Sequence, residues 1–174
     1  MVIVVGIGLF LIGRHGSADE PNAKPAANPT VPAASYPPVD ASPVPRTAVA
    51  DKLCPGFLAA LPDKLGGQDR RRVNAQRAYF LAWGSPPVIV QCGVPRPKGF
   101  TVGTATVDIY PPKQTSGRVR WFETGSTGLW TAVDRDVYVA VTVPDGGDTT
   151  GTLQDVGTAI NKALPARPID PAAH

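Results

Sequence analysis

Between His15 and His174 the chain holds no imidazole, which removes the most common proton shuttle from whatever domain lies there. A Ser-His-Asp relay cannot be assembled without it. Gly125-Ser126-Thr127-Gly128 lacks the glycine spacing and the strand-to-helix setting of a nucleophile elbow. If Cys54 and Cys92 are tied to each other, a thiolate nucleophile and a Cys/His zinc site go as well. Asp145-Gly146-Gly147-Asp148 lacks the ligand spacing of an EF-hand and reads as a turn. Asp108, Glu123, Asp134 and Asp136 could furnish a paired-carboxylate hydrolase, yet nothing in their spacing selects two of them. No catalytic residue, metal ligand or cofactor is therefore expected. Arginine is the remaining candidate chemistry. Arg118 and Arg120 alternate around Val119, and Arg96 follows Gly93-Val94-Pro95 directly after Cys92. Their planar forks suit carboxylate or phosphate groups, so Arg96, Arg118 and Arg120 form the candidate anion-binding set, with Arg135 in a nearby turn. The alternative is that the four carboxylates neutralise them in cross-strand pairs. Arg70-Arg71-Arg72 reads as a solvated turn.

These residues need elements to position them. Leu53, Phe57 and Leu61 recur at a spacing of four around Pro55, which suits the first turn of a short helix ended by Pro62 and Gly66-Gly67. Residues 73 to 83 alternate, with Val73, Ala75, Tyr79, Leu81 and Trp83 on one side, so their later part is expected as a strand. Residues 87 to 92 form a second strand, apolar enough for burial on both faces. Gly84-Ser85-Pro86-Pro87 between them is a turn. Further strands are expected over 104–110 (Ala105, Val107, Ile109 inward), 117–123 (Val119, Trp121) and 137–143 (the four valines inward). Asp134-Arg135-Asp136 reads as a hairpin turn. Leu153, Val156, Ile160, Ala163 and Leu164 give a closing helix, with Thr152 and Asp155 spaced as a capping box. Strands between two flanking helices predict one small α+β domain with an antiparallel or mixed sheet.

The domain is expected over residues 51–165. Residues 1–18 begin with Met1–Gly13, apolar throughout, a length nearer a signal-peptide core than a full span. Gly16-Ser17-Ala18 offers small residues for cleavage; an uncleaved membrane anchor is the other reading. Residues 19–50 carry Pro21, Pro25, Pro29, Pro32, Pro37, Pro38, Pro43 and Pro45, a composition that predicts an extended, disordered linker. Residues 166–174 read as a frayed tail. Lys and Arg number 17 against 14 Asp and Glu, a net charge of +3. That scatter lacks the basic stripe of a nucleic-acid binder. An exported chain with two cysteines most often pairs them, so Cys54 and Cys92 are expected as a disulfide, against the alternative of two separate buried thiols. Closing a loop of about 38 residues would contribute about 4 kcal/mol.

Taken together, "CPGFLAALPDKLGG", "AWGSPPVIVQCGVPRP", the isolated Trp121 and "VDRDVYVAVTVP" before the last helix resemble the actinobacterial domain-of-unknown-function family 3515. The resemblance covers roughly residues 51–164. It implies a membrane-anchored or exported envelope protein with no established activity and no catalytic residues to transfer. Ser85 stands where similar sequences often carry an acidic residue. The expected function is a non-catalytic binding or accessory module at the extracytoplasmic face of the cell membrane, or secreted. Its expected partners are the membrane, through the N-terminal segment, and an envelope polymer, lipid or membrane protein. A carboxylate-based envelope hydrolase and a structural subunit of a membrane complex are the alternatives.

Overall fold

The computed structural model describes residues 35–74, 79–112 and 117–170, which belong to one compact unit. The apolar leader, residues 19–34 of the expected linker, Ala75 and the last four tail residues lie outside the described residues. Helix α1 runs Ala48–Ala60. Thr47 caps it, its hydroxyl accepting from the Ala50 N–H at 3.1 Å, and Asp51 sits in the first turn, where an acidic group complements the helix dipole. The helix therefore starts a turn earlier than expected, and Pro55 lies in its interior rather than its first turn. Having no N–H, Pro55 leaves the Asp51 carbonyl without its intrahelical partner. The buried stripe is Ala50, Cys54, Phe57 and Leu61, while Leu53 is half-buried at the flank of the core.

A hairpin of β1 (Lys64–Leu65) and β2 (Gln68–Asp69) turns through Gly66 and Gly67, both at positive φ, as a tight two-residue hairpin requires. The main sheet comprises β3 (Phe80–Trp83), β4 (Val88–Val94), β5 (Val107–Ile109), β6 (Val119–Glu123), β7 (Leu129–Ala132) and β8 (Tyr138–Thr142), in the order β3-β4-β8-β7-β6-β5. Every neighbouring pair is antiparallel. Helix α2 (Thr149–Ala163) closes the chain's core. The fold class is thus α+β, with the antiparallel form of the sheet. Asp148 caps α2 by accepting from the Gly151 N–H at 2.9 Å. The expected Thr152/Asp155 box is corrected: Thr152 is buried inside the helix, one turn too late to cap it.

Both helices cover one face of the sheet. Trp83, Val90, Cys92, Val119, Trp121, Ala132, Val139 and Val141 point there, fully buried against Phe57, Leu153, Val156 and Ile160. Burying a large apolar side chain contributes about 1.5–3 kcal/mol, so this layer dominates stability. Strand β4 is buried on this face alone; Ile89 and Gln91 on its other face are half-buried, correcting the expectation of burial on both. Strand β5 forms an edge and is shorter than expected, with Val107 half exposed and Ile109 on the core. Strand β7 has no counterpart among the expected strands.

The opposite face is covered by irregular, proline-containing chain. Residues 36–42 lie over β3 and β4, with Val39 buried on Phe80 and Ala82. Phe100 packs on Phe122 with ring centroids 5.4 Å apart, and Ile169 joins that cluster. The domain boundaries move accordingly. Residues 36–50 belong to the packed domain rather than to a disordered linker, and 166–170 pack on it rather than fray. Ala166 bridges Arg135, and the Arg167 N–H donates to the Asp134 carbonyl at 2.9 Å. Among the described residues no helix is long and apolar enough to cross a membrane.

Candidate functional site

The two cysteines meet as expected. Cys54 and Cys92 are bonded, with Cα atoms 5.6 Å apart, and both are fully buried. The bond ties α1 to β4. Next to it, β4 carries a bulge between Cys92 and Val94, where Gly93 has φ +80° and a Cβ would lie 2.8 Å from Ala50 Cβ. Glycine here lets the helix and strand approach closely enough for the clasp to close.

Each candidate arginine has a partner within the chain. Arg118 and Arg120 share one carboxylate: Arg118 Nε lies 3.1 Å and Arg120 Nε 2.9 Å from Asp108. Asp108 stands directly opposite Arg120 in the β5–β6 register, so one cross-strand pair serves both. Arg120 is held protonated, its pKa raised chiefly by the Asp108 hydrogen bond. Arg96 has a different partner. Its Nε and Nη2 donate to the Phe100 carbonyl at 3.1 and 2.6 Å, and its guanidinium lies over the Phe100 ring. It locks the loop that follows Cys92-Gly93-Val94-Pro95.

Asp134 and Arg135 lie in the β7–β8 hairpin connection, as expected, but they are buried rather than solvated. Arg135 Nη1 lies 2.8 Å from Asp134 Oδ1, and its Nη2 donates to Asn161 Oδ1 at 2.5 Å. The Asp134 Oδ2 accepts from the Arg120 N–H at 3.1 Å. Burial pushes the Asp134 pKa up; Arg135 and the Arg120 N–H oppose that without reversing it. Asp136 pairs with Arg167 at 2.9 Å. The expected solvated turn at Arg70-Arg71-Arg72 is also corrected. Arg71 is buried and donates to the Gly84 and Pro37 carbonyls at 2.6 and 2.9 Å. Arg70 donates to the Leu61 carbonyl at 3.0 Å and lies over the Trp83 ring.

Strand register puts Val94, Tyr138, Val119 and Ile109 at one end of the sheet. Two open grooves meet there, both lined by Asp136 and Tyr138. One, about 440 Å³, adds Pro45, Val49, Val94 and Pro95. The other, about 560 Å³, adds Val133, Arg135, Arg167, Pro168, Ile169 and Asp170. Sequence reasoning had no reason to choose Tyr138, one aromatic residue opposite a valine row, or the tail that walls the second groove. At the far end of the sheet a smaller cleft of about 250 Å³ lies between Ser85, Pro86, Asp145, Asp148 and Thr152. Its Ser85–Pro86 peptide is cis, within the expected turn. Among the described residues no three His, Cys, Asp or Glu side chains gather as metal ligands.

Sheet, helices, clasp and grooves together define a small disulfide-clasped α+β domain with an open, proline-walled end. The chain belongs to the family described as "Protein of unknown function (DUF3515)", whose model matches residues 16–169. No curated protein matches it, and no solved structure does.

Proposed function

We propose that this chain is an exported cell-envelope module that binds a partner at the Tyr138 end of its sheet rather than transforming a substrate. The observation that carries this reading is how the charged groups are used. The buried charged residues Arg71, Asp134 and Arg135 are engaged by backbone, by one another or by Asn161, whereas one open groove at the Tyr138 end is lined mostly by proline, valine and tyrosine and the other joins such residues to charged side chains. Such surfaces suit contact with an extended chain. The buried Cys54–Cys92 bond supports export, because such bonds persist in oxidising compartments. Arg118 and Arg120 share the single carboxylate of Asp108, a local excess of one positive charge that suits an anionic group on a partner. A photocrosslinking residue at position 138, compared with one at exposed Ser126 at the opposite end, tests the reading in intact envelopes. Adducts specific to position 138 are expected. Equal labelling at both positions, or a cytoplasmic chain with free thiols, overturns it. One observation favours a carboxylate enzyme as the second reading: the raised pKa of Asp134, a kind of shift that clusters at active sites. Turnover of envelope glycans that disappears in Asp134→Asn would establish it.

A further inference from the structure

The segment Tyr36-Pro37-Pro38-Val39 is held by the domain as a receptor holds a peptide. Proline fixes φ and offers a carbonyl without an N–H, so a surface that reads such chain must aim donors at carbonyls. Arg71 Nη2 donates to the Pro37 carbonyl at 2.9 Å and Arg72 Nη2 to the Tyr36 carbonyl at 3.2 Å. The Arg71 guanidinium lies 4.4 Å from the Tyr36 ring centroid. Two residues on, the mode changes to strand addition. The Val39 N–H donates to the Arg72 carbonyl at 2.9 Å, and the Val39 carbonyl accepts from the Asn74 N–H at 3.0 Å. That bridge is parallel, Val39 to Val73. The Val39 side chain is the single buried one between Ser35 and Val49, seated on Phe80 and Ala82. Gln91 Nε2 then reaches the Ser42 carbonyl at 2.9 Å. Polyproline reading and strand addition are recognised modes of peptide capture, and here both act on one stretch of seven residues. Nearly all these bonds go to backbone, so what they select is conformation, plus one ring and one aliphatic side chain.

We propose that the trough formed by Arg71, Arg72, Asn74, Phe80, Ala82 and Gln91 is a recognition site for an extended polypeptide of the pattern aromatic-Pro-Pro-aliphatic, with Tyr36–Ser42 as its displaceable resident. The receptor side belongs to the packed body. The resident contributes one buried side chain and continues to α1 through Pro43-Val44-Pro45, where the two prolines keep the chain extended. None of the six trough residues lines the Tyr138 grooves.

The test uses the full chain carrying Val39→Asp, which weakens the resident and leaves the trough intact, with a labelled peptide of sequence SYPPVDASPV (residues 35–44). Saturable binding to the variant is expected, and binding to the parent at least about tenfold weaker, because an occupied site divides the apparent Kd by its open fraction and so raises it. Adding Arg71→Ala, or placing Asp at the peptide's valine, should abolish it. Near-UV circular dichroism from buried Trp83 and Trp121 reports that the variant is folded. Tyr36→Ala, a milder change, serves if it is not, with the same ranking expected. A folded variant that takes no more peptide than the parent overturns the proposal, as does equal binding of the Asp-substituted peptide. A parent dimer that the peptide dissociates would support it and identify a second copy as the partner.

Discussion

Asp134 is adjacent in sequence to the arginine that neutralises it, and the pair is buried where the β7–β8 connection meets the C-terminal segment. Its pKa in the folded state stands above the ordinary value of 3.8, with burial the main cause. In the window from 3.8 up to that raised pKa the folded state binds more protons than the unfolded state. Stability linked to Asp134 is therefore fully present below the unfolded pKa and is lost as pH rises through the folded one. Urea unfolding across that window should show a falling contribution that Asp134→Asn removes. Asparagine keeps one acceptor oxygen, for Arg135 or for the Arg120 N–H, which use different oxygens of the carboxylate. Asp134→Ala keeps none, leaves Arg135 buried without its carboxylate, and should cost about 3–5 kcal/mol. Cys54 and Cys92 give a second prediction at this scale. Replacing both with Ala should lower the unfolding free energy by about 4 kcal/mol, read from the denaturant midpoint. No change would mean that the clasp adds nothing to the α1–β4 contact.

At the scale of elements, the clasp depends on a bulge. Gly93→Ala places a Cβ 2.8 Å from that of Ala50, at a backbone φ of +80°. Strain in that region costs about 1–3 kcal/mol, and the clash adds to it by pushing α1 off β4. A lower thermal midpoint with slower disulfide formation during refolding is the expected outcome, and an unchanged midpoint would show that the bulge can flatten. The sheet's two edges are protected differently. Beside β3, residues 69–71 supply pairing, with the Arg71 N–H donating to the Ala82 carbonyl at 2.7 Å. Edge β5 is three residues long and puts Asp108 between two arginines, a short charged edge that resists further pairing. The helices and most strands were legible because their apolar periods are local. Strand β7 was not, since Leu129–Ala132 offers two alternations at most and its burial comes from the neighbours on either side.

The described residues share one main core, and their irregular outer cover is bonded to the rest through Arg71 and the Asp134–Arg135 pair. A single unfolding transition is expected, with tryptophan fluorescence and far-UV circular dichroism coinciding. Separate transitions would mean that the outer cover melts independently of the sheet.

The sequence alone determined the class of fold, pointed to the clasp and left no imidazole between His15 and His174. Each of these follows from local spacing or from the residue inventory, which tertiary packing cannot change. The use of the charges was decided by the tertiary structure. Arg71 sits in a stretch that reads as a solvated turn, Asp134 and Arg135 in one that reads as a hairpin turn, and whether such turns meet water depends on what closes over them. Here segments distant in sequence do so: Pro37 lies 34 positions from Arg71 and Asn161 lies 26 from Arg135. No periodicity within either stretch encodes those partners. The partners of Arg96, Arg118 and Arg120, read together as an anion patch, were hidden for the same reason, since a cross-strand aspartate and a loop carbonyl reached the guanidiniums through the fold.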